Sequence, residues 1–182
     1  GAAHLIPQAE FDRVNASFSF PISVQAHTAS GNGLQADASD TDKAQFAKWL
    51  QRNVAGHKVA GYKNVQLSVK RVGQAPGDAT DAQMDAIADI ADQFSCGELR
   101  VTHDQNVLLP FVREEDLFAV WQAAKAASFA SPNIGLLSDM IACPGGDFCA
   151  LANARSIPIA HDLSARYQDL DELYDTGDID LH

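Results

Sequence analysis

Apolar and polar residues follow regular patterns over most of the segment from 40 to 127. In some stretches the apolar positions recur at the spacing of a helix face, and in others they alternate with polar positions, as in a strand buried on one side. In chain order these patterns predict a helix from Asp40 to near Gly56, a strand over 65–70, a helix over 80–94, strands over 99–103 and 107–112, and a helix over 114–127.

Two local signals sharpen this assignment. Thr80 followed by Gln83 matches the capping box, in which two side chains satisfy backbone N–H groups at the start of a helix. Asp104 and Gln105 separate the two later strands, with Asn106 beside them, and this predicts a hairpin with a tight turn.

The order of elements predicts an α/β (α+β) fold. It matches a ferredoxin-like half-domain, in which helices cover one face of an antiparallel sheet and the other face stays open. Under the helices we expect Val65, Leu67, Val69, Leu99 and Val101. On the open face we expect Gln66, Ser68, Lys70, Arg100 and Thr102. Such a row of polar and cationic side chains favours a polar or anionic partner.

Composition and charge exclude several functions. The chain has 182 residues, 46% of them hydrophobic, and a formal charge of −11. A continuous basic surface is therefore absent, which predicts no nucleic-acid partner. No apolar run approaches the roughly 18 residues of a membrane span, and the first residues lack the pattern of a signal peptide. We expect a cytoplasmic protein with no membrane partner.

Two of the three cysteines, Cys143 and Cys149, flank a Pro-Gly-Gly loop in the segment Ala-Cys-Pro-Gly-Gly-Asp-Phe-Cys-Ala-Leu-Ala at 142–152. Thiolates suit soft metals and iron–sulfur clusters, and a glycine-rich loop lets backbone amides approach sulfur. Spacing alone leaves three interpretations open: structural cysteines, a metal or cluster site, and a redox disulfide. A cluster needs about four ligands, yet no cysteine follows Cys149, and Cys96 lies at a predicted turn.

The segment 97–109 reads Gly-Glu-Leu-Arg-Val-Thr-His-Asp-Gln-Asn-Val-Leu-Leu. It resembles the sirohaem-contacting hairpin in the second half of the sulfite reductase haemoprotein and assimilatory nitrite reductase family. The 142–152 segment is similar to the first pair of cluster cysteines in that family, and it follows the hairpin at about the expected distance. The resemblance covers roughly residues 64–159.

The resemblance implies a domain organisation and a set of site residues. Residues 1–40 would be an N-terminal extension or linker, 41–128 the ferredoxin-like half-domain, and 129–182 the first part of an α/β domain for sirohaem and a four-iron four-sulfur cluster. Cys143 and Cys149 correspond to metal ligands. No catalytic residue is assigned within the chain.

Four hairpin residues are expected to lie on the cofactor side of the hairpin. Arg100, Gln105 and Asn106 match positions near the tetrapyrrole, whose carboxylates call for charge-assisted hydrogen bonds. Thr102 shares the predicted face of Arg100. An anionic cofactor in an acidic chain requires a local basic patch, and the cations expected to form it are Lys63, Lys70, Arg71, Arg100 and His103.

The family's later Cys-x3-Cys pair and the anion-site residues of its first half are absent, so the resemblance implies a C-terminal portion that ends before the second pair. The parent enzyme would reduce sulfite to sulfide or nitrite to ammonia with six electrons from ferredoxin or an NADPH-linked flavoprotein. The remainder of the same reductase chain would complete the site. We expect the chain alone to be inactive and to bind neither cofactor. The alternative is a non-enzymatic ferredoxin-like protein-interaction module with structural or redox-switch cysteines.

Overall fold

A computed structural model describes residues 6–17 and 24–174. Its helices are α1 (Gln8–Ser17), α2 (Asp40–Asn53), α3 (Asp81–Phe94), α4 (Leu117–Ala126) and α5 (Ser156–Tyr174). Its strands are β1 (Val54–Gly56), β2 (Tyr62–Leu67), β3 (Arg100–Val101) and β4 (Val107–Arg113). Single 3₁₀ turns occur at Glu114–Asp116, Leu137–Asp139 and Gly145–Asp147. Within the described ranges, no helix has the length and hydropathy needed to cross a membrane.

The four strands form one antiparallel sheet in the order β1-β2-β4-β3. This confirms the predicted fold class and the predicted order of the later elements. The first of the predicted helices, α2, ends at Asn53 rather than near Gly56, because Val54–Gly56 pairs with β2 as a strand. A strand of three residues is too short to show a period in the sequence.

Helix α3 begins as predicted. The Thr80 hydroxyl accepts a hydrogen bond from the Gln83 backbone N–H at 3.3 Å, and the Gln83 side-chain oxygen accepts one from the Thr80 backbone N–H at 3.0 Å. This reciprocal pair is the capping box, and it satisfies two N–H groups that a helix start leaves without partners. The buried residues of α3 are Ile87, Ile90 and Ala91, which turn one face towards the sheet.

The core lies where α2 and α4 meet the sheet. Phe46 of α2 contacts Phe118 of α4 with ring centroids 5.1 Å apart, and Trp49 and Trp121 complete an aromatic cluster. All four side chains are buried, as are Val65, Leu67 and Leu109 on the facing strands. Edge-to-face and tilted aromatic pairs of this kind add to the stabilisation from area burial.

The predicted burial of Leu99 and Val101 is wrong. Their exposed fractions are 39% and 83%, whereas Val65, Leu67 and Val69 are buried as predicted. The difference arises because β3 is a two-residue edge strand, paired only with β4. The Leu99 and Val101 side chains line an open cleft instead of the core.

The predicted open face is also wrong for the end of β2. Ser68 and Lys70 are buried rather than exposed, because residues 129–142 run past this end of the sheet. The Ser68 backbone N–H donates to the Phe129 carbonyl at 3.1 Å. The buried Asn53 side chain donates to the Gln66 and Ser131 carbonyls at 2.9 and 3.1 Å. Residues 129–142 therefore pack against the end of β2 and against Asn53.

Candidate cofactor-binding site

The turn of the β3–β4 hairpin, residues 102–106, is closed by its own polar groups. The Thr102 N–H donates to the Asn106 carbonyl at 2.9 Å, and the Asn106 N–H donates to the Thr102 hydroxyl at 3.1 Å. Gln105 adopts a left-handed backbone with φ of 56°, which few non-glycine residues adopt. We call this segment the hairpin turn.

A buried polar hub fixes the hairpin turn to residues 129–142. It consists of Lys70, Asn106 and Asp139. The Asp139 carboxylate accepts from Lys70 Nζ at 3.1 Å and from Asn106 Nδ2 at 2.8 Å. Its second oxygen accepts from the Gly135 N–H at 3.0 Å. The side chains of Lys70 and Asp139 are 2% and 7% exposed, so the ion pair is shielded from water.

The other hydrogen-bond donors and acceptors of the hub bind backbone groups. Lys70 Nζ also donates to the Asp104 carbonyl at 2.6 Å and to the Asp139 carbonyl at 3.1 Å. Asn106 Oδ1 accepts from the Val69 N–H at 3.0 Å. Since buried charges are stable only when paired and hydrogen-bonded, the hub is a fixed structural centre. The sequence pattern identified Asn106 but missed Asp139, which lies in a segment without periodicity.

The cysteine loop, residues 142–149, contacts the hairpin turn directly. Gln105 Nε2 donates to the Ala142 carbonyl at 2.9 Å, and the Ala142 N–H donates to Gln105 Oε1 at 3.1 Å. The structure thus brings together the two segments on which the family resemblance rests. Their contact is made by the residue immediately before Cys143.

Both predicted metal ligands are exposed free thiols. Between them, the 3₁₀ turn Gly145–Asp147 is closed by the Cys149 N–H, which donates to the Gly145 carbonyl at 2.8 Å. Residues 154–156 bind the loop through hydrogen bonds. The Gly146 N–H donates to the Ala154 carbonyl at 2.7 Å, and the Ser156 hydroxyl donates to the Cys143 carbonyl.

Two accessible thiols on one short loop fit half of a cluster's ligand set, because iron–sulfur clusters are held by about four cysteine thiolates. No group of three or more metal-binding side chains occurs in the part of the chain that the structure describes. Cys96, the third cysteine, is exposed at the end of α3 in a left-handed conformation. The accessible positions of Cys143 and Cys149 argue against buried structural cysteines.

An apolar cleft of about 470 Å³ lies between α3, the hairpin and the cysteine loop. Its lining includes Met84, Leu99, Val101, Gln105, Pro144 and Phe148. Val101 and Phe148 remain 83% and 78% exposed. Concave apolar surfaces with a few polar groups are typical of ligand and cofactor sites.

The predicted tetrapyrrole residues occupy different environments. Arg100 is exposed on the edge strand and forms an ion pair with Glu98, with its guanidinium 6.0 Å from the centroid of the Phe111 ring. Thr102, Gln105 and Asn106 use polar side-chain atoms in the internal bonds described above. Gln105 and Asn106 also line the cleft. Their contact with a tetrapyrrole stays a prediction.

The cations of the predicted basic patch have local partners, and one of them, Lys70, is buried. Lys70 is buried in the hub, Lys63 lies 3.0 Å from Glu114, and His103 lies 3.0 Å from Asp104. Arg71 donates to the Gln83 side chain at 2.9 Å, and its partial burial lowers the pKa of its guanidinium from the usual value. A guanidinium nevertheless stays charged at neutral pH. Local partners therefore engage the cations that were expected to attract a cofactor.

Gly145 is required by the shape of the cysteine loop. It is buried with φ of +55°, and a Cβ there would lie 2.4 Å from Ser156 Oγ and 2.8 Å from the Ala154 carbonyl oxygen. We expect Gly145→Ala to displace the loop and to lower the free energy of unfolding by about 1–3 kcal/mol. Urea denaturation measures the loss, and hydrogen exchange over 142–149 locates it.

Two alanine variants provide the controls. Gly73 has φ of +82° with no atom within 4 Å of an added Cβ, so Gly73→Ala isolates the cost of the backbone conformation. A Cβ at Gly146 would lie 3.3 Å from the Ala154 carbonyl oxygen without a left-handed φ, so Gly146→Ala should be milder. Equal effects of Gly145→Ala and Gly73→Ala would contradict a steric role for Ser156 and Ala154.

Comparison with known proteins relates the hairpin and its surroundings to one family. Residues 65–127 match the family described as the nitrite/sulfite reductase ferredoxin-like half domain. The chain is 31% identical over 121 residues to the chloroplastic ferredoxin–nitrite reductase of Oryza sativa subsp. japonica. The aligned region covers 66% of this chain and 20% of that protein.

Similar proteins from other plants give the same result. The chloroplastic ferredoxin–nitrite reductase of Zea mays is 31% identical over 141 residues, covering 74% of this chain and 24% of that protein. The enzyme of the same name from Arabidopsis thaliana is 33% identical over 109 residues, covering 58% and 18%. The chain spans about a fifth of the length of the curated relatives it matches.

Proposed function

We propose that the chain is part of a longer reductase that uses sirohaem and an iron–sulfur cluster, because residues 65–127 match the nitrite/sulfite reductase ferredoxin-like half-domain family. The observation that carries this proposal is the contact between Gln105 and Ala142. It joins the hairpin turn to the cysteine loop, and these are the two segments that resemble the family's cofactor-binding motifs.

In this proposal Cys143 and Cys149 supply two thiolates to a four-iron four-sulfur cluster, and sulfur ligands outside the 182 residues complete the set. Their exposure on one loop supports this role. The cluster and the sirohaem, when bound, would supply electron storage and the centre at which the substrate is reduced. The chain's own contribution is to hold the two thiolates at a fixed distance from the hairpin.

The hairpin residues Arg100, Thr102, Gln105 and Asn106 form the proposed tetrapyrrole side of the site. The neighbouring cleft offers an apolar wall for a flat macrocycle. The Arg100 guanidinium pairs with Glu98 through Nε and one terminal nitrogen, and in this proposal its remaining donors bind a tetrapyrrole carboxylate. Thr102 and Asn106 would act by shaping the turn, since their polar atoms already bind each other.

We further propose nitrite as the substrate and ferredoxin as the electron donor. The names of the similar proteins support this choice over sulfite and a flavoprotein donor. Reduction of nitrite to ammonium takes up six electrons and eight protons and releases two water molecules. The full-length protein would carry this activity, and the isolated chain would lack it because half of the cluster ligands are missing.

The activity test uses the full-length protein, prepared anaerobically with sirohaem and iron supplied. Reduced ferredoxin is offered with nitrite in one assay and with sulfite in another. We expect ammonium from nitrite, with a kcat/KM at least about tenfold above that for sulfite. Sulfide formation at the higher efficiency would overturn the substrate assignment, and absence of both products would overturn the enzyme assignment in favour of a non-enzymatic module.

The cytoplasmic location stays a prediction, since the similar plant proteins are chloroplastic.

A further inference from the structure

We infer that Gln105 is a positioning residue. Its side chain binds the backbone of Ala142 and thereby fixes the position of Cys143 relative to the hairpin. The two hydrogen bonds, at 2.9 and 3.1 Å, use the donor and the acceptor of the amide. The side chain thus pairs with the loop as a neighbouring strand would. The inference rests on the proposed function only in assigning Cys143 to a cluster.

The local structure is adapted to this contact. Gln105 has a left-handed backbone with φ of 56°, a conformation in which glycine and asparagine are favoured. A Cβ on the facing Gly77 would lie 3.0 Å from the Gln105 Cβ, so glycine leaves room for the glutamine. A residue that is unfavourable for its backbone conformation, yet closely accommodated, indicates that its long amide side chain is needed.

The turn that carries Gln105 is itself immobilised on both sides. The Asp104 carbonyl before it accepts from the buried Lys70, and Asn106 after it binds Asp139. A continuous set of hydrogen bonds therefore runs from the end of β2 through the hairpin turn to the residue before Cys143.

The first test needs no cofactor. In the 182-residue chain, Gln105→Ala removes both hydrogen bonds, and Gln105→Asn suits the backbone better but is too short to keep them. We expect both variants to exchange the Ala142 amide hydrogen roughly five- to tenfold faster. Protection in α3 and β4 should be unchanged. The control is Gln122→Ala at an exposed site on α4, which should have no effect.

Unchanged exchange at Ala142 in a folded Gln105→Asn variant would overturn the inference. So would an equal rise in exchange over the whole chain, because that result indicates a general loss of stability. A purely conformational role for position 105 predicts the opposite outcome for Gln105→Asn, namely equal or slower exchange.

A second test connects the contact to the cluster. In the full-length protein, Gln105→Ala should shift the reduction potential of the cluster and slow its reconstitution, with Gln122→Ala unchanged. If wild-type protein takes up no cluster, the proposed function fails, while the exchange result still decides the role of Gln105. A normal potential and normal reconstitution in Gln105→Ala would contradict a positioning role towards Cys143.

Discussion

Cys143→Ser in the full-length protein is expected to abolish assembly of the iron–sulfur cluster. A serine hydroxyl has nearly the shape of a thiol, so the loop should fold, but it is a harder and much less acidic ligand. Acid-labile sulfide per chain should fall to the background level, and bound iron should fall by the amount that the cluster holds. Cys149→Ser should give the same result, because both thiols are exposed on one loop.

The matched control is Cys96→Ser. Cys96 is also an exposed free thiol, but it lies at the end of α3, and its replacement should leave the iron content unchanged. Wild-type iron and sulfide in Cys143→Ser would contradict its assignment as a ligand. Equal losses in all three variants would indicate a non-specific effect of thiol removal.

Lys70→Met should cause a large loss of stability, because Lys70 belongs to a buried ion pair. The substitution leaves the Asp139 carboxylate buried without its cation, while Asn106 and Gly135 still hold it in place. Removing one partner of a buried ion pair typically costs about 3–5 kcal/mol. The free energy of unfolding, measured by urea denaturation, should fall by that amount.

The control is Lys63→Met. Lys63 also pairs with a carboxylate, Glu114, but the two side chains are 33% and 30% exposed, so the loss should be below about 1 kcal/mol. Adding Asp139→Asn to Lys70→Met should recover part of the stability, because the uncompensated charge is removed while one acceptor oxygen remains. A Lys70→Met protein as stable as Lys63→Met would show that the hub contributes little.

Elements specified by nearby residues could be predicted from the sequence. The structure contains both the capping box at Thr80 and Gln83 and the hairpin of β3 and β4. In each case the determining groups lie within a few residues of one another, so a short window contains the physical cause. The helices that carry Phe46, Trp49 and Trp121 were predicted for the same reason.

The environment of Lys70 could not be predicted in this way. Alternation along β2 shows that neighbouring residues point in opposite directions, but it does not show what covers either face. The cover is supplied by residues 129–142, and the partner Asp139 lies 69 positions further along the chain. The predicted burial of Leu99 and Val101 was wrong for a related reason. The edge position of β3 depends on the order of the strands in the sheet and not on the pattern of residues within β3.

In the candidate site, too, some features could be predicted from local sequence and others depend on tertiary contacts. The family resemblance identified Cys143 and Gln105 as important positions, and the structure shows them on adjoining segments. The bond between Gln105 and Ala142 spans 37 positions and involves a backbone group, which no motif records. Motifs can thus indicate which residues a site contains, while the tertiary fold decides which of them touch the cofactor and which support the others.

The most direct test of this account is the absorption spectrum of the full-length protein, purified anaerobically with sirohaem supplied. We predict a chlorin-like band together with the broad absorbance of an iron–sulfur cluster, and loss of the cluster absorbance in Cys143→Ser. A colourless, iron-free wild-type protein under these conditions would contradict the proposal that the cysteine loop binds a cluster beside the hairpin.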